Sequence, residues 1–160
     1  MNYLSLFNAA LLTDLIGICL VLVGYIQSKQ LILWYKKFGL ASVLADTLSL
    51  MIGFLIASFL YPFFFKTYNL AYFLVLVVAV QLTHDSIFGI LVTQFKGRSD
   101  ILQVFKDYAK EMGFKILMAD AIMMISTTLL QKALEPYKEA NIVLAIVLLY
   151  LTPYLLYSVS

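Results

Sequence analysis

The chain has 160 residues, of which 63% are hydrophobic and 12% are charged, and its mean hydropathy is +0.95. An ordinary soluble domain is about half apolar and a quarter charged, so this composition indicates an integral membrane protein. The net charge of +2 is too small to favour nucleic acid as a partner. The one cysteine, Cys19, excludes an intrachain disulfide and leaves the redox compartment open.

Five apolar segments are long enough to cross a bilayer, which takes about 20 helical residues. They predict an all-α, polytopic transmembrane bundle that forms one domain over residues 1–160. No internal repeat and no low-complexity tract stands out. The first segment has no Lys or Arg ahead of its apolar run, so we expect a retained helix and not a signal peptide. The alternative is a cleaved or peripheral first segment with a four-helix core. The predicted spans are residues 5–26, 39–60, 69–94, 114–131 and 140–158.

Basic residues are distributed unevenly among the connectors between these spans. The first connector holds three and the third holds five, whereas the second holds one and the fourth holds two. By the positive-inside rule the first and third connectors face the cytoplasm, which puts the N-terminus outside and the C-terminus inside. Aromatic residues near the span ends match the belt at the headgroup level: Trp34, Tyr35, residues 61–65, Tyr68, Tyr154 and Tyr157.

The third connector predicts an amphipathic helix over residues 99–112, lying in the cytoplasmic interface. Ser99 is a good N-cap, and Asp100 favours the first turn of a helix. The alternative is a soluble helix packed on a partner, and Gly113 then marks the turn into the fourth span. The apolar positions recur at the spacing of one helical face: Ile101, Phe105, Tyr108 and Met112.

Titratable groups inside the predicted spans are the candidates for function. Each acid at mid-bilayer costs about 2.5–3.5 kcal/mol, so four cost on the order of 10 kcal/mol unless they are paired or face water. We therefore expect these side chains in the interior of the bundle. They are Asp14, Asp46, His84, Asp85 and Asp120.

Three of the acids are predicted to share one level in the membrane. Asp14 falls slightly to the outer side of its span's midpoint and is treated as a separate feature. Thr152 lies at about the level of the three acids, where Pro153 frees the carbonyl of Leu149. The acids that lie about 3–6 Å to the cytoplasmic side of their midpoints are Asp46, Asp85 and Asp120.

Small and polar residues accompany these acids along the helices. Gln81 precedes Asp85 by four residues and shares its face, and Gly53 follows Asp46 on the second span. Small residues let membrane helices approach closely, and Ser, Thr and Gln bond across the contact. These stripes are therefore explained as packing seams, whereas packing alone does not require a carboxylate.

Three interpretations of the acids remain open. In the first, the acids exchange protons and His84 relays them, because intramembrane Asp and His chains are the usual parts of proton paths. In the second, a divalent metal binds to imidazole and carboxylate ligands, although their spacing matches no metal signature. In the third, neutral acids bond to backbone or hydroxyl groups and only fix the helix register. The candidate metal ligands are Asp46, His84, Asp85 and Asp120.

Residues 81–124 carry a resemblance to a known family. The shared residues are Gln81, His84, Asp85, residues 105–111, Gly113, Asp120, Met123 and Met124, together with residues 35–39 and 150–157. With these residues the chain, from Tyr35 onward, resembles a family of small polytopic membrane proteins that giant DNA viruses of algae and protists encode. It departs from the family pattern in the turn before the amphipathic helix and at Ala121. The resemblance implies a viral membrane protein of the host or of the virion's internal membrane, and it implies no activity.

The sequence thus predicts a viral membrane protein that conducts protons or small cations. Its predicted partners are the lipid bilayer and further copies of the same chain, because five short helices leave little room for a pore within one copy. We predict no cofactor, apart from the divalent metal of the second interpretation. The alternatives are a structural scaffold of a viral or host membrane and a metal-dependent intramembrane enzyme. The predicted pathway residues are Asp46, Gln81, His84, Asp85, Asp120 and Thr152.

Overall fold

The computed structural model describes residues 2–158, and within that range the regular structure is helical throughout, which confirms the all-α prediction. The helices are α1 (Tyr3–Leu22), α2 (Lys29–Phe38), α3 (Leu40–Phe64), α4 (Leu70–Gln94), α5 (Asp100–Met112), α6 (Lys115–Leu134) and α7 (Lys138–Leu156).

Five helices are long and apolar enough to cross a membrane, namely α1, α3, α4, α6 and α7, with mean hydropathies between 1.3 and 2.1. The chain is therefore an integral membrane protein. The predicted spans agree with these helices except at the ends of the first two: α1 ends before residue 26, and α3 continues past residue 60 to Phe64. Helix α1 ends at Leu22 and not near residue 26, because Gly24 adopts a left-handed φ of 74° in the turn that follows.

Four of the long helices form a ring in which neighbours run in opposite directions. Helix α1 packs on α3 and α6, and α4 packs on the same two helices, which is the up-down arrangement of a four-helix bundle. Helix α7 lies outside this ring along α1. Asn8 fastens the two helices, since its Nδ2 donates to the backbone oxygen of Asn141 at 2.8 Å and to its Oδ1 at 3.0 Å.

One half of the ring is filled by apolar side chains. Leu6, Phe54, Val77 and Met124 come from the four different helices and are at most 4% exposed. Lipid tails are as apolar as these side chains, so their contribution comes from close van der Waals packing. This apolar half separates the polar residues described below from the far end of the bundle.

The other end of the ring is covered by α2 and α5, which lie against each other. Helix α5 matches the predicted amphipathic helix, whereas α2 falls in a connector for which no helix was predicted. Each begins at a serine cap: Ser28 Oγ accepts from the backbone N–H of Leu31 at 3.1 Å, and Ser99 Oγ accepts from that of Leu102 at 3.3 Å. The two helices are the parts of the fold that position the site.

The α2–α5 pair is fastened at both ends. At one end, Glu111 accepts hydrogen bonds from the hydroxyl of Ser28 at 2.9 Å and from the backbone N–H groups of Lys29 at 2.8 Å and Gln30 at 3.0 Å. At the other end, Lys37 Nζ lies 2.8 Å from Asp100 Oδ2. Because the start of α2 meets the end of α5 and the reverse also holds, the pair is antiparallel.

Candidate functional site: a buried carboxyl layer

Asp85 is the most connected acid of the spans. Its Oδ1 accepts from Gln81 Nε2 at 2.7 Å and lies 3.1 Å from His84 Nδ1. Its Oδ2 is buried, and no N–H or hydroxyl group of the described residues bonds to it. The carboxyl of Asp120, on the neighbouring α6, interacts with the Asp85 carboxyl. Two carboxyl groups that are close together where solvation is poor can share one proton.

Asp46 is held by the short helix α2. The indole Nε1 of Trp34 donates to Asp46 Oδ2 at 2.9 Å, and the side chain of Tyr35 also interacts with this carboxyl. Trp34 and Tyr35 are only 5% and 4% exposed, so they are not the belt residues that the sequence indicated. They close the end of the ring over Asp46, which also lies within electrostatic range of Asp120.

Asp14 belongs to the same layer, although the sequence suggested a separate feature on the outer side. The hydroxyl of Tyr35 donates to its Oδ1 at 3.2 Å, while its Oδ2 is buried without a partner among the described residues. Asp14 is fully buried and interacts electrostatically with Asp46. Because α1 ends at Leu22, the acid lies about 12 Å from the helix end that α2 follows. We call Asp14, Asp46, Asp85 and Asp120 the carboxyl layer.

Aromatic side chains of α2 and α5 cover the carboxyl layer. The ring centroid of Phe105 lies 4.9 Å from that of Trp34 and 5.2 Å from that of Phe88 on α4. Tyr108 lies within electrostatic range of Asp46 and Asp120. We call Trp34, Tyr35, Phe105 and Tyr108 the aromatic cover.

The surroundings of the two phenols of the aromatic cover change their pKa values. Burial, reinforced by the carboxyl of Asp14, raises the pKa of Tyr35 well above its usual value. Burial, reinforced by Asp120 and Asp46, likewise raises the pKa of Tyr108. A charged phenolate is disfavoured where solvation is poor and carboxyls are close. Both phenols therefore stay neutral and can donate hydrogen bonds.

The contact between α5 and the N-terminus of α2 is stabilised by charge as well as by hydrogen bonds. Desolvation acts to raise the pKa of Glu111, but the N–H groups of Gln30 and Lys29 and the hydroxyl of Ser28 outweigh it and hold the pKa below its usual value. A carboxylate is stabilised at a helix N-terminus because the unpaired N–H groups there carry partial positive charge. Glu111 is therefore a charged cap that α5 supplies to α2.

His84 lies at the edge of the layer, on the surface of the bundle. Its side chain is half exposed, and its ring is parallel to that of Phe88 with centroids 6.0 Å apart. The ring borders a groove of about 190 Å³ between α3 and α4, in which Ser49 is the other polar residue. His84 is thus the member of the predicted pathway that connects Asp85 with the surroundings of the bundle.

Among the described residues, Thr152 makes no hydrogen bond to the carboxyl layer. Its hydroxyl donates to the carbonyl of Leu148 at 2.7 Å, within its own helix. Helix α7 packs along α1, and its neighbouring side chains Leu148 and Leu156 belong to the core cluster of α1, α2 and α5. Thr152 therefore bonds within α7, whereas Asp46, Gln81, His84, Asp85 and Asp120 are connected to one another.

Beyond the layer, the interior of the ring narrows at Gly53. A Cβ at this position would lie 3.1 Å from Met124 Cε and 3.3 Å from Gln81 Oε1, so glycine allows both side chains to approach α3. On the far side of Met124, Thr127 Oγ1 donates to Thr13 Oγ1 at 3.1 Å. Met124, which is fully buried, therefore lies between Asp120 and Thr127 along α6.

Within residues 2–158, no three His, Cys, Asp or Glu side chains are placed to share one metal ion. In the described part of the chain, the layer is connected by hydrogen bonds and short-range charge interactions. No family model, curated protein or solved structure matches the chain.

Proposed function

We propose that the protein moves protons across its membrane by way of the carboxyl layer. The observation that supports this is the pairing of Asp85 with Asp120 on the neighbouring helix, in which Asp85 Oδ2 is buried without a bond from an N–H or hydroxyl group of the described residues. Such a pair holds one proton in a place that water does not reach freely. His84, at 3.1 Å from Asp85, is suited to pass that proton on, because an imidazole can accept at one nitrogen and donate from the other.

The positions of His84 and the aromatic cover indicate where the proposed proton path leaves the carboxyl layer. His84 gives Asp85 a contact with the outside of the ring, and the aromatic cover lies between the acids and the α2–α5 end. In the proposed orientation this end faces the cytoplasm, since the connectors that hold α2 and α5 carry most of the basic residues. The membrane is proposed to be that of a virus or its host, on the strength of the family resemblance alone.

Flux through one copy of the chain would have to pass Met124, which occupies the narrow part of the ring. A homo-oligomer in which His84 of several copies face one another avoids this obstacle, and we include it in the proposal. Small cations are the alternative cargo, because the same carboxyls would bind them in place of a proton.

Proton flux can be measured in liposomes that contain the purified protein and a pH-sensitive dye. We expect acidification after a pH step to be faster than in empty liposomes, and Asp85→Asn and Asp120→Asn each to return it to the empty-liposome rate. Asp107→Asn is the matched control, because Asp107 lies on α5 outside the spans and pairs with Gln103 and Lys110. Wild-type flux equal to that of empty liposomes would refute the proposal, as would an unchanged rate in Asp85→Asn.

A second candidate function is that of a membrane scaffold. It is favoured by the α2–α5 pair, in which two amphipathic helices lie side by side at one surface of the bundle, as interfacial helices do. This function requires no particular carboxyl, so Asp85→Asn should support assembly as well as the wild type does. A low copy number in purified particles would contradict it.

A further inference from the structure

The chain contains two segments with the same order of elements. Helices α1, α2 and α3 are a span, an amphipathic helix and a span, and α4, α5 and α6 repeat this order. In both segments a glycine directly follows the amphipathic helix and leads into the next span. The backbone angles of the two joints are nearly equal, with φ 55° and ψ −132° at Gly39 and φ 54° and ψ −130° at Gly113.

The key residues occupy equivalent positions in the two segments. Asp14 lies as far before the helix cap Ser28 as Asp85 lies before the cap Ser99. Likewise, Asp46 lies as far after Gly39 as Asp120 lies after Gly113. Few other residues are identical, which explains why no repeat stands out in the sequence.

The packing has the same two-fold character. If the two segments are exchanged, the contact of α1 with α3 becomes that of α4 with α6, and the contact of α3 with α4 becomes that of α6 with α1. The contacts of α3 with α6 and of α2 with α5 are unchanged. All six of these helix contacts are present in the structure. Lys37 and Glu111 are also equivalent, each two residues before its glycine, and each reaches the N-terminus of the opposite amphipathic helix.

Equivalent acids have equivalent environments. In Asp14, as in Asp85, Oδ1 accepts one hydrogen bond and Oδ2 is buried without a bond from an N–H or hydroxyl group of the described residues. Asp14 has Asp46 as its carboxyl neighbour, as Asp85 has Asp120. In the first segment Ala10 stands where the second has Gln81, and the hydroxyl of Tyr35 supplies the donor.

We infer that the chain carries two copies of one three-helix unit and that Asp14 and Asp46 form a second proton-binding carboxyl pair, equivalent to Asp85 and Asp120. This inference extends the proposed function to a second site. A buried carboxylate oxygen without a donor is costly, and one proton, taken up from water, lowers the charge of the pair from −2 to −1 and can be shared between the two carboxyls. The titratable groups that face the pair are Tyr35, Tyr108 and Asp120. The two phenols are neutral, and Asp120 belongs to the other pair.

The number of protonated carboxyls can be counted by infrared spectroscopy, because a protonated carboxyl absorbs apart from a carboxylate. At neutral pH we expect two protonated carboxyl bands in the full-length protein. Asp85→Asn should remove one band, Asp14→Asn the other, and the double variant both. Asp107→Asn changes an acid that lies outside the spans, and it should leave both bands in place.

A second, milder variant keeps the test decisive if Asp14→Asn does not fold. Tyr35→Phe removes the hydrogen bond to Asp14 and should shift one band without affecting the band that Asp85→Asn removes. One band in the wild type, or a Tyr35→Phe spectrum identical to the wild type, would overturn the inference. Two bands together with the absence of flux in liposomes would refute the proposed function and leave the second pair standing.

Discussion

The indole Nε1 of Trp34 donates a hydrogen bond to Asp46 Oδ2 at 2.9 Å, and this bond joins the short helix α2 to the acid of the adjoining span. Trp34 is 5% exposed, so the bond is shielded from water. The acids in the spans are therefore covered by a part of the chain that does not itself cross the membrane.

Replacing Trp34 by phenylalanine tests the strength of this connection. Trp34→Phe keeps an aromatic ring but removes the donor, and leaving a buried acceptor unpaired costs about 1–3 kcal/mol. We expect a lower midpoint of thermal unfolding in detergent, followed by circular dichroism. In a double-mutant cycle with Asp46→Asn, the second substitution should cost less when Trp34 is already absent. Strictly additive effects would mean that the bond contributes nothing.

Glu111 should make the docking of α2 on α5 dependent on pH. Its pKa in the folded protein is below the ordinary value of 4.5, so its stabilising contribution is complete above pH 4.5 and disappears as the pH falls through the lower, folded pKa. Trp34 is the one tryptophan of the chain, and its fluorescence should report the loosening of α2 at acidic pH.

The matched variants for this experiment are Glu111→Gln and Asp107→Asn. Glu111→Gln should give the loosened signal already at neutral pH and show a smaller change on acidification. Asp107→Asn should retain the wild-type titration, because Asp107 lies on α5 but bonds only to residues of α5. A wild-type titration in Glu111→Gln would show that another group controls the docking.

Gly53 is expected to be the least replaceable glycine inside a span. In Gly53→Leu the added atoms would displace Met124 or Gln81, which lie within 3.3 Å of the position of a Cβ, and overpacking of this kind costs about 1–3 kcal/mol. We expect a lower unfolding midpoint, and loss of proton flux where Gln81 is moved from Asp85. Gly17→Ala is the control, since a Cβ there meets nothing within 4 Å. Equal stability of both variants would contradict this account.

Asn141 should contribute more to stability than its partner Asn8. Asn8→Ala removes the two bonds between α1 and α7. Asn141→Ala removes only the one that its Oδ1 accepts, but it leaves the carbonyls of Leu134 and Tyr137 without the Nδ2 donor that now bonds them at 2.7 and 2.8 Å. We expect each variant to unfold at a lower temperature than the wild type, with Asn141→Ala the lower of the two. The reverse order would show that the contact between α1 and α7 matters more than the end of α6.

Hydropathy and length were sufficient to predict the five long helices, because a run of about 20 apolar residues has few alternatives to a membrane span. Helix α5 was also predictable, since Ser99 and the apolar spacing after it are standard helix signals. Helix α2 carries the same signals in Ser28, Leu31, Trp34 and Phe38, but it has only 10 residues. In the sequence its aromatic residues are typical of a membrane belt, so their position over the carboxyl layer is not predicted.

The members of the site were harder to predict than the spans. The predicted depth of an acid depends on where its span ends, and a first span that ends near residue 26 places Asp14 away from the other acids. Thr152 is predicted to lie at the level of the acids, but this level does not specify which helix is adjacent to α7. In the structure α7 packs along α1. Which helices are adjacent is a property of the tertiary packing, and one sequence does not contain that information in readable form.

The glycine joints have a consequence for how the protein responds to its membrane. Gly39 and Gly113 adopt a φ that other residues avoid, so the angle between each amphipathic helix and its span is set by the backbone and not by the lipid. Helices α3 and α4 are 25 residues long, more than a bilayer requires. In a thinner bilayer the mismatch should therefore be taken up at the opposite end, near Phe64, and the acids should remain equally shielded in membranes of different thickness.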